Sequence, residues 1–304
     1  MKKAIVTGAS GAIGRYVIRE LLDNGIKVLA IGRKSGINTE FFIKNSCNNL
    51  SYCQLDLKEI DLLPKKLNEI GWVSGKSCVF YHFAWSGFTS LTDGTVDDQL
   101  KNVTYSANAV KIAKELGCVK FINSGSLEET FAEKYLENNW NNNQYHSNQG
   151  SYAISKLSSR DMCLMVAYLE KIDYVHTRFS AVYNNELNLK GFICSSLKLI
   201  LEGKKASIPQ NNQFFDLISI EDLSKAYYYI GLKGENKVNY FIGTGKPKIL
   251  ANYFTELENS LQGVKSKAVN NELNLILCHK DFDVSDLKND TGFEINNTFL
   301  NLNI

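Results

Sequence analysis

Two side chains four residues apart, Tyr152 and Lys156 in the run Tyr152-Ala153-Ile154-Ser155-Lys156, have the types needed to move a proton on and off an alcohol or ketone. At that spacing they share one face of a helix and can act together. A free phenol with a pKa near 10 is only about 0.1% ionised at pH 7, so acid–base work at neutral pH calls for a depressed value. A depression of roughly 3 units corresponds to about 4 kcal/mol, which an adjacent ammonium together with a positive nicotinamide ring can supply in a water-poor cleft. Taken alone, YxxxK also describes ordinary helix surface. A third group, holding the substrate oxygen, is expected at the end of a strand. Ser126 in Phe121-Ile122-Asn123-Ser124-Gly125-Ser126 is the candidate, Ser124 is its rival, and a turn or helix cap is the bland alternative for either.

A second constellation lies at the N-terminus. Thr7-Gly8-Ala9-Ser10-Gly11-Ala12-Ile13-Gly14 spaces three glycines as GxxGxxG between a short apolar run and a helical pattern. Gly8 permits a tight turn, Gly11 admits a pyrophosphate to the backbone N–H groups, and Gly14 lets helix and sheet pack closely. Ser10, Ala12 and Ile13 complete the loop and open the helix, whose N-terminus favours anions. A dinucleotide is therefore expected. About 20 residues on, an acid would hold the ribose 2′-hydroxyl of NAD(H); the chain instead has Ile31-Gly32-Arg33-Lys34. Arg33 and Lys34 suit a 2′-phosphate, which favours NADP(H) over NAD(H), with a solvated basic turn as the plain alternative. Asp56, followed by Leu57, either accepts from an adenine amino group or caps a helix.

These residues need a scaffold that sets them at one edge. Apolar runs at 4–7, 28–31, 50–55, 79–83 and 121–123 alternate with helical patterns at 12–24, 58–70 and 96–116. Runs that are apolar at every position suit strands buried on both faces of a parallel sheet, so the fold class is α/β, a doubly wound Rossmann sheet. Beyond residue 180 the pattern loosens into a helix at 190–202, a short strand near 213–218 and a helix at 221–232. We expect a dinucleotide-binding domain at 1–180 and a smaller substrate lobe at 181–304, with the chain crossing back around 213–245. The asparagine-rich stretches 138–143 and 296–303 receive no function.

With 44% hydrophobic and 22% charged residues the chain is globular rather than disordered. A net charge of +2 and dispersed lysines leave no nucleic-acid footprint. Seven widely spaced cysteines without a CxxC pair speak for reduced packing residues, not for zinc or a disulfide framework. No metal and no membrane partner are expected, and the cytoplasm is the expected compartment.

The order of GxxGxxG, His82-Phe83-Ala84, Ser126 and YxxxK makes the chain resemble the extended short-chain dehydrogenases/reductases of the nucleotide-sugar epimerase/dehydratase group over nearly its whole length. Further matching pieces are Asn102, Arg178 through Tyr183, Phe215 through Leu223, Gly243-Thr244-Gly245 and Gly292-Phe293. The resemblance implies Tyr152 as acid/base, Lys156 as holder of the nicotinamide ribose, and Ser126 as the group that orients the substrate hydroxyl or ketone. It also implies Phe83 and Ala84 at the cofactor, Trp85, Glu128 and Arg178 toward a nucleotide sugar, and a homodimer formed through the helix carrying Tyr152. His82 reads as a hydrogen-bonded core histidine.

Three departures bear on the substrate. Ala181 stands where the family often has an Asn that touches the sugar nucleotide, the usual Gly-Pro after the Tyr is missing, and Phe215 stands where an Arg often grips a phosphate. Similar dehydratases carry an Asp–Glu pair after the hydroxyl residue, and here Leu127 replaces the Asp. An NADP(H)-dependent reductase of a nucleotide-activated keto-sugar, of the 4-keto-6-deoxy type used for bacterial surface polysaccharides, is the expected activity. A 4-epimerase is the alternative, and a 4,6-dehydratase or a non-catalytic dinucleotide sensor ranks behind both.

Overall fold

The computed structural model describes residues 1–35, 49–87, 92–137, 149–207, 213–262, 275–295 and 299. Cys47, the stretch 138–143 and, Phe299 apart, the stretch 296–303 lie outside them. The chain begins β1 (Lys3–Thr7), α1 (Ala12–Asp23), β2 (Lys27–Gly32), β3 (Leu50–Gln54), α2 (Leu63–Glu69), β4 (Cys78–His82), α3 (Val96–Glu115) and β5 (Lys120–Ser124). It continues with α4 (Leu127–Glu137), α5 (Gly150–Glu170), β6 (Asp173–Phe179), β7 (Ala181–Tyr183), α6 (Phe192–Leu201), β8 (Phe214–Phe215) and β9 (Leu217–Ser219). The last elements are α7 (Ile220–Lys233), β10 (Asn239–Ile242), β11 (Lys248–Ile249), α8 (Leu250–Leu261) and α9 (Ser285–Thr291).

Among the described residues one seven-stranded sheet runs β10-β6-β5-β4-β1-β2-β3, and every neighbouring pair in it is parallel. Successive side chains of a strand point to opposite faces, and here both faces are dry. Ala4, Val6, Val28, Ala30, Val79 and Tyr81 pack on one side with Val17 and Leu21 of α1 and Leu223, Ala226 and Ile230 of α7. Ile5, Leu29, Ile31, Cys78 and Phe80 pack on the other with Ala109, Val110 and Ala113 of α3 and Cys163 and Ala167 of α5. That two-sided burial is why the strands read as unbroken apolar runs.

The chain crosses back late: α7 covers the face shared with α1, and β10 pairs with β6 at the sheet edge. A smaller layer formed by α6 and α8 has its own core of Leu197, Ile200, Leu217, Phe254 and Leu257. The single strand expected near 213–218 is two strands, β8 pairing antiparallel with β11 and β9 pairing parallel with β7. The break is at Asp216, whose buried carboxylate accepts from Thr244 Oγ1 at 2.7 Å and Gly245 N at 2.9 Å. Five of the cysteines, Cys53, Cys78, Cys118, Cys163 and Cys194, are free and buried, and Cys278 is free and exposed.

Candidate active site

From β1 the chain moves out to β2 and β3, then returns to lay β4 along the other side of β1, so Thr7 and His82 end side by side. Such a reversal opens a crevice at the carboxyl ends of the strands. A cavity of about 430 Å³ lies there. Its floor is the glycine loop. Gly8 has φ +71°, and a Cβ on it would stand 2.8 Å from both the Phe83 carbonyl carbon and Ala84 N. A Cβ on Gly14 would run into the Gly8 carbonyl. At Gly11 φ is −74°, no side chain caps α1, and its first turn holds no acid. The first-turn N–H groups of Ala12, Ile13 and Gly14 are thus left for an anion, and Ser10 lines the same wall.

At the end of β2 two side chains of β3 hold the turn. Gln54 Nε2 donates to the Arg33 carbonyl at 3.1 Å, and the Tyr52 hydroxyl donates to the Lys34 carbonyl at 2.6 Å. The exposed Arg33 lines the lip of the cleft, and no carboxylate pairs with it among the described residues. Asp56 and Leu57 line the same cleft, while the Asp56 carboxylate also accepts from Lys58 N at 3.1 Å and caps a short 3-10 turn. A pyrophosphate cradle with a cation at the ribose end fits a nicotinamide dinucleotide.

At the far end of the cleft α5 presents Tyr152 and Lys156, both buried. The Ser126 hydroxyl, at the start of α4, hydrogen-bonds the Tyr152 phenol and accepts from Glu128 N at 3.2 Å. The Tyr152 ring meets Trp85 edge-on with centroids 6.0 Å apart. Lys156 Nζ sits 3.9 Å from the centre of the Trp85 ring and donates to the Ser124 carbonyl at 2.9 Å. A cation so placed on a desolvated indole gains roughly 2 kcal/mol. Trp85 is itself tied down, its Nε1–H donating to Gln99 Oε1 at 2.8 Å, and Asn102 brackets the neighbouring Ser86 backbone from both sides at 3.0 and 2.8 Å.

Burial pushes the Tyr152 phenol above its ordinary value, Glu129 and Glu128 push the same way, and only the Ser126 hydroxyl opposes them. The Lys156 ammonium is directed to the Trp85 ring and the Ser124 carbonyl and lies 5.9 Å from the centre of the Tyr152 ring. Burial in turn pulls Lys156 down to about 8, against the nearby Glu129 carboxylate. His82 is held neutral, at about 3, by burial and by Lys156. Its Nδ1 meets Thr7 Oγ1 and its Nε2 meets Ser106 Oγ, both at 3.0 Å. Because Ser106 Oγ donates to the Asn102 carbonyl, the imidazole proton belongs on Nε2. His82 is a core brace between β1, β4 and α3.

Residues 4–243 match the model of the NAD-dependent epimerase/dehydratase family. The chain belongs to that family. It is 27% identical to a CDP-abequose synthase of Salmonella typhimurium over 84% of this chain and 80% of the relative. Over 41% of this chain and 42% of the relative it is 29% identical to a dTDP-6-deoxy-L-talose 4-dehydrogenase (NAD(+)) of Aggregatibacter actinomycetemcomitans. Its fold is similar to that of a dTDP-glucose 4,6-dehydratase from Bacillus anthracis solved with NAD, with TM-score 0.71, 17% identity, and coverage of 98% of this chain and 93% of the other. The chain is accordingly an enzyme of the extended short-chain dehydrogenase/reductase type.

Most of the residues singled out from the sequence line one cleft, Phe83, Ala84, Trp85 and Ser126 among them. Three do not. Lys34 is exposed and points its backbone, not its ammonium, into a described contact. Glu128 lies outside the lining and acts on Tyr152 only through its charge. Arg178, expected at the substrate, donates to Thr130 Oγ1 at 2.8 Å and Glu133 Oε2 at 3.2 Å and lines a separate polar pocket of about 280 Å³. Strand parity explains this: Arg178 shares its face of β6 with Tyr174 and His176, whereas Phe179 points into the cleft. Ser124, the rival of Ser126, is committed elsewhere, its Oγ accepting from the Tyr227 hydroxyl at 3.1 Å.

The residue missed at the site is Glu129. Its side chain is fully buried, its Oε1 accepts from Ser126 N at 2.8 Å, and its Oε2 lies 2.9 Å from His176 Nε2. The available signal was Ser126-Leu127-Glu128-Glu129, an S-x-x-E capping box in which the third helical residue reaches back to the cap backbone.

Proposed function

We propose that the enzyme reduces the keto group of a nucleotide-activated 4-keto-6-deoxy sugar with NADPH. When bound, the nicotinamide supplies hydride to the carbonyl carbon. Ser126 hydrogen-bonds the carbonyl oxygen, and Tyr152 donates the proton that turns the developing alkoxide into the product hydroxyl. Lys156 places a positive charge beside that oxygen, and Trp85 closes the wall and keeps water from the site. The phenolate left on Tyr152 regains its proton from solvent after release.

The observation that supports this reading is the meeting of the Tyr152 phenol, the Ser126 hydroxyl and the Lys156 ammonium in the cleft that the glycine loop floors. Tyr152 is the hydroxyl placed to give its proton to the alkoxide that hydride addition creates. The dehydratase reading lacks its Asp, since Leu127 is apolar and buried. A 4-dehydrogenase acting on a dTDP-6-deoxy sugar and a CDP-sugar synthase among the relatives support a deoxysugar nucleotide as the substrate class. We further place the protein in the cytoplasm as a homodimer joined through α3 and α5. Ile154, Met162, Met165 and Leu169 of α5 and Leu100 of α3 are large apolar side chains left exposed in the monomer. No helix among the described residues is long and apolar enough to cross a membrane.

The test is consumption of NADPH on addition of nucleotide-linked 4-keto-6-deoxy sugars, with the product identified by mass. Stoichiometric oxidation of the nicotinamide is expected. Conversion of a nucleotide hexose to its C4 epimer without net change in nicotinamide absorbance moves the assignment to epimerase.

The choice of NADPH rests on Arg33. Arg33→Ala is expected to weaken NADPH binding by about 10- to 100-fold, because a charged hydrogen bond contributes about 1.5–3 kcal/mol. NADH binding should change by less than about twofold, since no 2′-phosphate is present to lose a partner. Fluorescence titration of both cofactors reads this directly, and equal losses for the two sink the phosphate-clamp role.

A further inference from the structure

Trp85 enters the proposed reaction as a wall, yet its indole touches both α5 side chains that carry the chemistry. Its ring meets the Tyr152 ring with centroids 6.0 Å apart and planes at 87°. The centre of the same ring lies 3.9 Å from Lys156 Nζ. Tyr152 and Lys156 are four residues apart on one helix face, and a single indole spans the two.

A buried ammonium is costly unless its charge and its hydrogen bonds are met, and Lys156 is buried. It carries three N–H donors and no acceptor. One donor goes to the Ser124 carbonyl at 2.9 Å. The indole takes the charge within the range where a cation is attracted by the ring quadrupole.

The ring that does this is itself held from the far side. Gln99 of α3 is fully buried, its Oε1 accepting from the indole Nε1–H at 2.8 Å and its Nε2 donating to the Asp93 carbonyl at 2.7 Å. An indole N–H only donates and a carbonyl only accepts, so the amide has one orientation that satisfies both. Three residues further along α3, Asn102 clamps the Ser86 backbone next to Trp85. The helix that carries both amides starts at a fixed point, where Thr95 and Asp98 close a capping box. Ring and backbone are thus anchored independently of any ligand.

We propose that Trp85, anchored by Gln99, is a positioning residue for Lys156: the indole holds the ammonium beside Tyr152 and Ser124 and leaves one N–H for the ribose of a bound dinucleotide. This role rests on the proposed function, in which the Lys156 charge stands beside the reacting oxygen. A wall needs only apolar surface, which leucine supplies as well as an aromatic ring. A platform for a cation needs a ring, and indole serves better than benzene. The two roles are therefore separable.

The experiment follows the Lys156 side chain by NMR in the full-length protein carrying lysine labelled with 13C at Cε, the resonance being assigned by its loss in Lys156→Arg. Protons held over an aromatic face resonate upfield of those in solvent, so the wild-type Lys156 Cε protons should stand apart from those of exposed lysines. In Trp85→Leu they should join the exposed group. NADPH binding should then weaken by about tenfold, the lower end for loss of a hydrogen bond from a charged donor. The fall in kcat should be about 30-fold, the factor that a cation–π contact of about 2 kcal/mol gives at about 1.36 kcal/mol per tenfold. KM for the sugar nucleotide should stay within about threefold. Trp85→Phe, which restores a ring, should lie between wild type and Trp85→Leu in both the lysine resonance and kcat.

A wild-type Lys156 resonance among the exposed lysines overturns the proposal. So does a Trp85→Leu loss confined to KM for the sugar nucleotide, which leaves the indole as a wall, and so does a Trp85→Phe enzyme no better than Trp85→Leu. If Trp85→Leu does not fold, Gln99→Leu keeps the ring but removes its anchor. The Lys156 protons should then move toward the exposed group, and an unmoved resonance overturns the proposal equally. The resonance and the NADPH titration require no turnover, so a missing reductase activity with a displaced lysine signal refutes the function and not the positioning.

Discussion

Tyr152→Phe is expected to lower kcat by about 10²- to 10⁴-fold, the range for losing a positioned general acid, while dinucleotide affinity stays within a few-fold. The ring is kept, so its edge-on contact with Trp85 is kept, and the Lys156 hydrogen bond to the Ser124 carbonyl does not involve the phenol. What disappears is the one hydroxyl that can protonate the developing alkoxide. The Ser126 hydroxyl then loses its phenolic partner but still accepts from Glu128 N, so the serine stays in place and the loss belongs to proton transfer. Single-turnover reduction with cofactor already bound separates this from slow product release. Turnover within about tenfold of wild type, with cofactor bound, sinks the acid role.

The parts of this site that the sequence made legible are those whose chemistry is local. The glycine loop is readable because local backbone contacts dictate two of its residues, Gly8 and Gly14, within one strand–helix turn. Tyr152 and Lys156 are readable because helix geometry alone sets them on one face. The strands are readable because a sheet covered on both sides makes their runs mostly apolar, the few buried polar residues such as Thr7, His82 and Asn123 standing at strand ends. What was not legible depends on partners distant in the chain. Whether Arg178 faces the cleft or α4 turns on the parity of a strand whose register with β5 and β10 no local pattern states. The expected depression of the phenol joins Lys156, four residues away, with the positive nicotinamide ring. The sequence conceals that Trp85 and the Ser124 carbonyl, 71 and 32 residues distant, claim that ammonium first. Glu129 occupies the S-x-x-E capping position and Glu128 the dehydratase-pattern position, and only the fold shows the Glu129 carboxylate turning back onto Ser126 N. The division of the stretch at 213–218 follows from a carboxylate that needs Thr244 and Gly245, which no period-2 reading can supply.

Gly8→Val should produce the largest combined effect on binding and stability, and comparison with Gly11→Ala isolates the cause. Gly8 needs a left-handed backbone, φ +71°, which costs an ordinary residue roughly 1–2 kcal/mol and a β-branched one more. The added Cβ would also meet backbone, not flexible side chain, at 2.8 Å on the Phe83–Ala84 peptide. That peptide cannot withdraw without parting β1 from β4, whose ends are tied by the Thr7–His82 hydrogen bond of 3.0 Å. Both strand ends must shift, and the pyrophosphate cradle and the wall carrying Trp85 shift with them. Dinucleotide affinity is expected to fall by more than about 10²-fold, and the melting temperature by several degrees, since 1 kcal/mol is worth about 2–4 °C in a domain of 150–250 residues. Gly11 already has extended backbone that alanine adopts freely, and its nearest added contact is the Gly8 carbonyl at 3.1 Å. Gly11→Ala should therefore melt within about 2 °C of wild type and still lose affinity, because the new methyl stands where the backbone must approach the phosphates. Wild-type affinity in Gly8→Val would show that the dinucleotide does not rest on this loop. Equal melting losses in the two variants would show that strain, not access to phosphate, is what the glycines relieve.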